Sequence, residues 1–327
     1  MTMNNQEIVL DVQGLCVDIN TAGGSLHAVR DVSFQVKRGE TLCIVGESGC
    51  GKSMTSLSIM GLLPKVATRR TRALSFLGEE LGTAATKRIN NLRGNRMAMI
   101  FQEPMTALNP AYTIGDQLTE HYRHHKSVSK EQAQRRAIEL LEKVGIASAA
   151  QRLGQYPHQL SGGLRQRVMI AMALMCGPEL LIADEPSTAL DVTIQAQILR
   201  LLADLQQELG IAMVLITHDL GVVARIADRV AVMYAGQIVE EGTAHDIFAK
   251  PQHPYTQGLM RCIPVPGKTE PGGKLGTIAG VVPSLIGQIA GCAFRDRCEY
   301  AQESCEQNIP VHQSSDGQQW RCVRGAT

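Results

Sequence analysis

Gly46-Glu47-Ser48-Gly49-Cys50-Gly51-Lys52-Ser53 is a complete G-x-x-x-x-G-K-[ST] loop. It follows an apolar run, Leu42-Cys43-Ile44-Val45, that reads as a short buried strand, and it precedes Met54 to Leu63, which reads as a helix. Strand, loop and helix together make a phosphate cradle. Glycines let backbone N–H groups converge on phosphate oxygens, Lys52 brings charge to the β- and γ-phosphates, Ser53 offers a hydroxyl to Mg²⁺, and the helix dipole faces the anion. Downstream, Leu160-Ser161-Gly162-Gly163 and the strand-like Leu180-Leu181-Ile182-Ala183-Asp184-Glu185 complete a constellation that points to ATP hydrolysis.

Working outward, Ile8 to Val12 and Val32 to Val36 are β-like runs separated by Gly-containing turns at Ala22-Gly23-Gly24 and Lys37-Arg38-Gly39-Glu40, which predicts antiparallel strands leading into the loop. In Lys130 to Val144 the apolar residues Ala133, Ala137, Leu140, Leu141 and Val144 recur at helical spacing, so a mainly helical insert is expected over about 103–160. Val168 to Leu174 reads as a buried helix, Thr193 to Leu209 as an amphipathic one, and Leu180 to Ala183 and Ala212 to Ile216 as buried strands. Alternating strands and helices argue for an α/β fold with a parallel sheet. From about residue 255 the character changes. Pro264, Pro266, Gly267, Pro271, Gly272 and Gly273 suggest a connector, and the last stretch has little periodicity. The expected organisation is therefore a nucleotide-hydrolysing domain over 1–255 and a small, irregular, cysteine-rich extension over 256–327.

The 327 residues carry 32 Lys plus Arg against 31 Asp plus Glu, so no global field draws the chain to nucleic acid or to an anionic membrane. No basic, then apolar, leader and no run of about 18 apolar residues occurs, which predicts a protein neither exported nor membrane-spanning by itself. Four of the nine cysteines are scattered (Cys16, Cys43, Cys50, Cys176) and five follow residue 260, a distribution expected of a reducing, cytoplasmic setting rather than a disulfide-stapled secreted domain.

Asp184 closes an apolar strand, where a carboxylate can serve Mg²⁺, and Glu185 follows, facing elsewhere, as candidate general base for an attacking water. His218, in Ile216-Thr217-His218-Asp219, stands at the end of another strand and is a candidate for contacting the γ-phosphate and orienting that water. Ser161 reads as a helix N-cap, with glycines after it that permit close backbone approach.

Taken together, residues 8–255 resemble the nucleotide-binding subunits of ABC transporters. Leu160 to Arg167 looks like their signature motif, Gln102 in Ile100-Phe101-Gln102 their Q-loop, Ala189-Leu190-Asp191 their D-loop and His218 their switch histidine. The resemblance implies a P-loop core sheet, an antiparallel β subdomain and a helical insert. It also implies a head-to-tail dimer in which ATP lies between the phosphate loop of one subunit and Ser161, Gly162 and Gly163 of the other. Mg²⁺ would be served by Ser53, Gln102 and Asp184, with Gln102 relaying nucleotide state to a membrane partner. Two positions depart from the family: Leu164 stands where the signature usually has Gln, and the stretch Leu15 to Asn20 lacks the aromatic residue that stacks on adenine, leaving Ile19 to pack on the base.

Phe101 to Pro110, Tyr156-Pro157-His158-Gln159 and His253-Pro254-Tyr255-Thr256 are similar to strings in the peptide and nickel branch of ABC importers, the dipeptide and oligopeptide permease ATPases. That implies a second, different ATP-binding subunit, two transmembrane permease subunits and an extracytoplasmic solute-binding protein, with this chain peripheral on the cytoplasmic face of the inner membrane. Nickel and glutathione remain alternative cargoes, and a soluble ABC-type ATPase with a metal-bearing regulatory module is the alternative class. Cys292, Cys298, Cys305 and Cys322, spaced C-x₅-C-x₆-C-x₁₆-C, are enough thiolates for Zn²⁺ or an iron–sulfur cluster. No C-x₂-C knuckle occurs, and the spacing resembles that of permease ATPases carrying a [4Fe-4S] cluster, which favours the cluster.

Overall fold

A computed structural model describes residues 7–102, 107–188, 190–263, 276–287 and 289–325. Glu103 to Thr106 of the loop after Gln102, Ala189 of the Ala189-Leu190-Asp191 motif and the Pro/Gly connector from Pro264 to Gly273 lie outside them. The chain runs β1 (Ile8–Thr21), β2 (Gly24–Lys37), β3 (Thr41–Val45), α1 (Lys52–Met60), β4 (Ala67–Arg70), β5 (Ala73–Phe76), β6 (Glu79–Glu80), α2 (Thr86–Leu92), β7 (Met97–Ile100), α3 (Ile114–His125), α4 (Lys130–Lys143), α5 (Ala149–Arg152), α6 (Gly162–Leu174), β8 (Leu180–Asp184), α7 (Val192–Leu209), β9 (Ala212–Ile216), α8 (Leu220–Ile226), β10 (Arg229–Tyr234), β11 (Gln237–Thr243), α9 (Ala244–Ala249), α10 (Pro254–Arg261), β12 (Val311–Gln313) and β13 (Gln319–Arg321). Contacts divide it into two compact units, one of residues 1–10, 36–40 and 76–216 and one of 11–35, 41–75 and 217–327.

In the first unit β7, β8 and β9 are parallel neighbours, with Ile100 opposite Ala183 and Asp184 opposite Ile216. Every residue of β8 and β9 is buried, as the continuous apolar runs require of strands covered on both faces. The expected helical insert is present as α3, α4 and α5. In α4, Ala133, Ala137, Leu140 and Leu141 form the buried stripe. Ser129 and Gln132 make a capping box at its start. At its end Gly145 (φ 79°) and Ile146 donate to the carbonyls of Glu142 and Leu141 at 2.9 and 2.8 Å, a Schellman closure. The expected Val168 to Leu174 helix is longer than its apolar run, starting at Gly162, because Ser161 caps it.

In the second unit β3 lies parallel to β10, β10 pairs with β11 in antiparallel fashion, and β13 and β12 extend the sheet beyond β11. The segment after residue 255, expected to be irregular, therefore supplies two short strands, with Trp320 opposite Glu240. Helix α10 runs through the expected boundary between core and extension. The antiparallel strands β1 and β2 are much longer than the short runs expected, 14 residues each, and β4 pairs with β1 from Cys16 opposite Arg70 to Ile19 opposite Ala67.

A buried polar knot joins the extension hairpin to β11. Glu240, 1 % exposed, accepts from the backbone N–H groups of Gln252 and His253 at 2.7 and 2.8 Å and from Gln318 Nε2 at 2.7 Å. His253 itself caps α10, its Nδ1 accepting from Tyr255 N–H at 3.0 Å. Burial holds the imidazole down to about 3, whereas an unfolded histidine titrates near 6.5. Over that window the unfolded chain binds more protons, so this residue's contribution is present above about pH 6.5 and is lost as the pH falls. In urea unfolding between about pH 6 and 4, wild-type protein is expected to lose stability relative to His253→Asn, which keeps a capping acceptor, by up to about 1.4 kcal/mol per pH unit. Parallel pH profiles of the two proteins would refute this.

Candidate functional site

The phosphate loop leaves β3 and enters α1 as the sequence predicts. Gly46, Gly49 and Gly51 adopt φ of 153°, 76° and 102°. Two of these positions are closed to any side chain by backbone as well: a Cβ on Gly46 would come within 2.1 Å of the Met233 carbonyl oxygen, and one on Gly51 within 2.3 Å of that of Ala28. Lys52, 5 % exposed, folds back so that its ammonium donates to the carbonyls of Gly46 and Glu47 at 2.8 and 3.0 Å. The charge is thus enclosed by its own loop. Gly51 is the N-cap of α1 and supplies no side-chain cap, and the first turn carries no acidic residue, which leaves the electropositive N-terminus for an anion. Ser48 and Gly49 are exposed and Ser53 is half-buried. The Glu47 carboxylate pairs with Arg297. Cys50 is fully buried and burial pushes its thiol up, so the small residue fills the turn and is shielded from reagents.

At the end of β8, Asp184 is 4 % exposed and Glu185 is a non-glycine residue at φ 44°. Glu185 N–H donates to the Ile216 carbonyl at 2.9 Å, fixing the turn. Its carboxylate oxygen Oε2 accepts from Gln102 Nε2 at 3.2 Å and from Thr188 Oγ1 at 2.9 Å. Gln102, expected as metal ligand and sensor, thus meets the expected base directly. Thr188 was not anticipated; its only sequence signal is a hydroxyl three residues after the carboxylate. The backbone left-handed at Glu185 is a local cost retained where it sets the direction of this carboxylate.

His218 is exposed in the second unit, between β9 and α8. Thr217 N–H donates to Ile44 of β3 at 3.3 Å, Thr217 Oγ1 accepts from Asp219 N–H at 3.1 Å, and Asp219 caps α8 through Val222 N–H at 3.2 Å. The histidine is therefore held from both sides next to the strand that carries the phosphate loop. Ile19 is half-buried in β1.

Ser161 caps α6 as expected, its hydroxyl accepting from Leu164 N–H at 3.4 Å. Because the donor is a backbone group, Leu in place of the usual Gln leaves the cap intact. A Cβ on Gly162 would lie 3.3 Å from Leu190 and one on Gly163 3.0 Å from Ile194, so the glycines let α6 approach the start of α7.

The four C-terminal cysteines are free thiols in one region. Cys292 N–H donates to the Cys305 carbonyl at 2.8 Å, an approach that Gly291 (φ 68°) permits, since a Cβ there would sit 2.1 Å from the same carbonyl. Cys298 Sγ accepts from Tyr300 N–H at 3.4 Å and Cys322 Sγ from Arg324 N–H at 3.5 Å. Burial, reinforced by the Cys305, Cys322 and Cys298 thiols, pushes Cys292 up to about 11. Arg324 Nη1 is buried without a hydrogen-bond partner among the described residues. Yet among the described residues no group of three or more His, Cys, Asp or Glu side chains is arranged to hold a metal ion. Neither the Zn²⁺ nor the [4Fe-4S] expectation on Cys292, Cys298, Cys305 and Cys322 is met by a preformed ligand set among the described residues.

Residues 29–188 match the family model described as "ABC transporter" and residues 239–305 the one described as "Oligopeptide/dipeptide transporter, C-terminal region". The chain is 52 % identical over 305 residues to the dipeptide transport ATP-binding protein DppD of Bacillus subtilis, covering 93 % of this chain and 90 % of the relative. It is 49 % identical over 315 residues to DppD of Escherichia coli, covering 96 % of each. Among solved structures it is similar to the dimeric ATP-binding cassette MJ0796 in a post-hydrolysis state bound to ADP and Pi (25 % identity, TM-score 0.65, 72 % of this chain and 98 % of that one). It is also similar to cbiO1 of Clostridium perfringens (27 % identity, TM-score 0.63, 75 % and 92 %).

The enclosed loop thiol makes a direct prediction. On brief treatment of folded protein with a maleimide, peptide mapping should find Cys50 unlabelled while the half-buried Cys16 and Cys262 react. Labelling of Cys50 at the rate of Cys16 would contradict the burial described.

Proposed function

The chain belongs to the family of ATP-binding subunits of peptide ABC importers, and from that premise we propose that it hydrolyses ATP to drive peptide uptake through membrane permease subunits. Lys52 and the N–H groups of residues 46–53 take the phosphates, and Ser53, Asp184 and Gln102 serve Mg²⁺. Glu185 takes a proton from the water whose oxygen attacks the γ-phosphorus while the bond to the ADP oxygen breaks, and His218 orients that water. Ser161, Gly162 and Gly163 close the nucleotide site of a second ATP-binding subunit, and Ile19 packs on adenine. The observation that carries the reading is Glu185, turned by its left-handed backbone and held by Gln102 and Thr188.

None of the helices in the described residues is long and apolar enough to cross a membrane. A peripheral position on the cytoplasmic face, beside two permease subunits, a different ATP-binding subunit and an extracytoplasmic solute-binding protein, accords with that and with the names of the relatives.

We infer a [4Fe-4S] cluster as the group that Cys292, Cys298, Cys305 and Cys322 would hold. The backbone N–H groups on Cys298 and Cys322 and the buried Arg324 Nη1 suit anionic thiolate ligands at these positions. When bound, such a cluster would supply a redox-active or structural anchor; the ATPase steps above do not pass through it.

Glu185→Gln is expected to bind ATP as wild type does and to lose hydrolysis by about 10²- to 10⁴-fold, measured by phosphate release beside equilibrium binding; retained hydrolysis would remove Glu185 as the base. Anaerobically purified protein should show broad visible absorbance with iron and sulfide in equal amounts, lost in Cys298→Ser, and protein devoid of iron would end the cluster assignment.

A further inference from the structure

We propose that Arg297, in the C-terminal extension, is a positioning residue that shapes the phosphate loop for nucleotide. The inference rests on the ATPase reading. Glu47 is the second residue of the loop and is held at both its ends. Its carboxylate receives two parallel hydrogen bonds from Arg297, Nη1 to Oε2 at 2.6 Å and Nη2 to Oε1 at 2.9 Å. Its backbone N–H donates to the Tyr255 hydroxyl at 2.9 Å.

Neither partner is free to drift. The Arg297 side chain is 5 % exposed, and its other donors go to the carbonyls of Ala279 at 2.8 Å and Ile278 at 3.1 Å and to the Tyr234 hydroxyl at 3.4 Å. Its guanidinium carbon lies 5.8 and 5.9 Å from the ring centres of Tyr234 and Phe294. Tyr255 is fully buried, with its ring 4.6 Å from Tyr234 and 5.4 Å from Phe294. Ala279, Phe294 and Arg297 all belong to the extension, so its fold fixes where the guanidinium stands. A guanidinium with every donor engaged is a rigid strut, and a bidentate pair fixes orientation as well as distance.

A glycine-rich loop gains most from such a strut. Three of its residues have no side chain to restrain them and adopt left-handed or other positive φ, so without external ties ordering the cradle would be charged against phosphate binding. Holding Glu47 prearranges the carbonyls of Gly46 and Glu47 that seat Lys52, and through them the ammonium that meets the phosphates. Arg297 touches no nucleotide in this arrangement; it acts through Glu47.

The test compares wild type with Arg297→Ala, Arg297→Lys, Glu47→Gln and the Arg297→Ala/Glu47→Gln double variant, using the dissociation constant of a fluorescent ATP analogue together with KM and kcat for ATP. Each of Arg297→Ala and Glu47→Gln is expected to raise the dissociation constant and KM about tenfold with kcat changed much less. The double variant should be no weaker than the worse single one, because both remove the same tie. Arg297→Lys should recover part of the loss, keeping the charge without the fork. If Arg297→Ala folds poorly, Glu47→Gln and Arg297→Lys carry the comparison. Variants that unfold more easily yet bind the analogue as wild type does would overturn the inference and leave Arg297 a structural residue, as would losses that multiply in the double variant. Wild-type protein that binds no ATP would overturn both the inference and the reading beneath it.

Discussion

The close passage of the phosphate loop over backbone is the constraint on which the rest depends. With the carbonyls of Met233 and Ala28 within 2.1 and 2.3 Å of where side chains would begin, positions 46 and 51 accept only glycine. The loop is thereby pressed against β10 and β2, and Lys52 is left with one interior to enter, that formed by the Gly46 and Glu47 carbonyls. An ammonium seated on neutral carbonyls can pass its hydrogen bonds to phosphate oxygens, which are stronger acceptors. The rigidity needed to keep such a loop open comes from β3, buried along all its length, and from ties on Glu47 that the loop itself cannot make.

The other half of the chemistry relies on a different device. Glu185 follows a fully buried strand and then turns through a left-handed conformation, so the direction of its carboxylate is decided by backbone before any side chain contributes. Gln102 and Thr188 then engage one of its oxygens. Because Gln102 follows β7 and Thr188 belongs to the turn after β8, the Glu185 carboxylate ties the ends of these two strands together.

What the sequence made legible follows from the range of the forces involved. The strands β8 and β9 and the helices α4 and α7 were readable to within a residue or so, since continuous apolar runs and helical spacing are local records of burial. The placements of Lys52 after its loop, Asp184 at a strand end and Ser161 at a helix start were readable because each is fixed by its own local pattern. The length of β1 was underestimated because Asp11, Gln13 and Asp18 interrupt its apolar run, Gln13 bonding Asp11 within the strand and Asp18 pairing across strands with Arg70 and His27. Thr188 and Arg297 went unseen for a simpler reason: the first acts through a turn whose geometry is not written in residue types, and the second meets its partner 250 positions away.

That long-range tie also explains why the cysteine-rich segment cannot be understood from its cysteines alone. Its hairpin completes the β11 edge, Gln318 satisfies the buried Glu240, and Arg297, immediately before Cys298, reaches the phosphate loop. Three separate interactions of the extension therefore stabilise the unit that carries Lys52, one on its sheet, one in its polar interior and one on its loop. A segment attached only to recruit a partner would need none of them. The cost of ordering its short strands is offset by these hydrogen bonds and by burial of Phe294 and Trp320, 4 % and 3 % exposed.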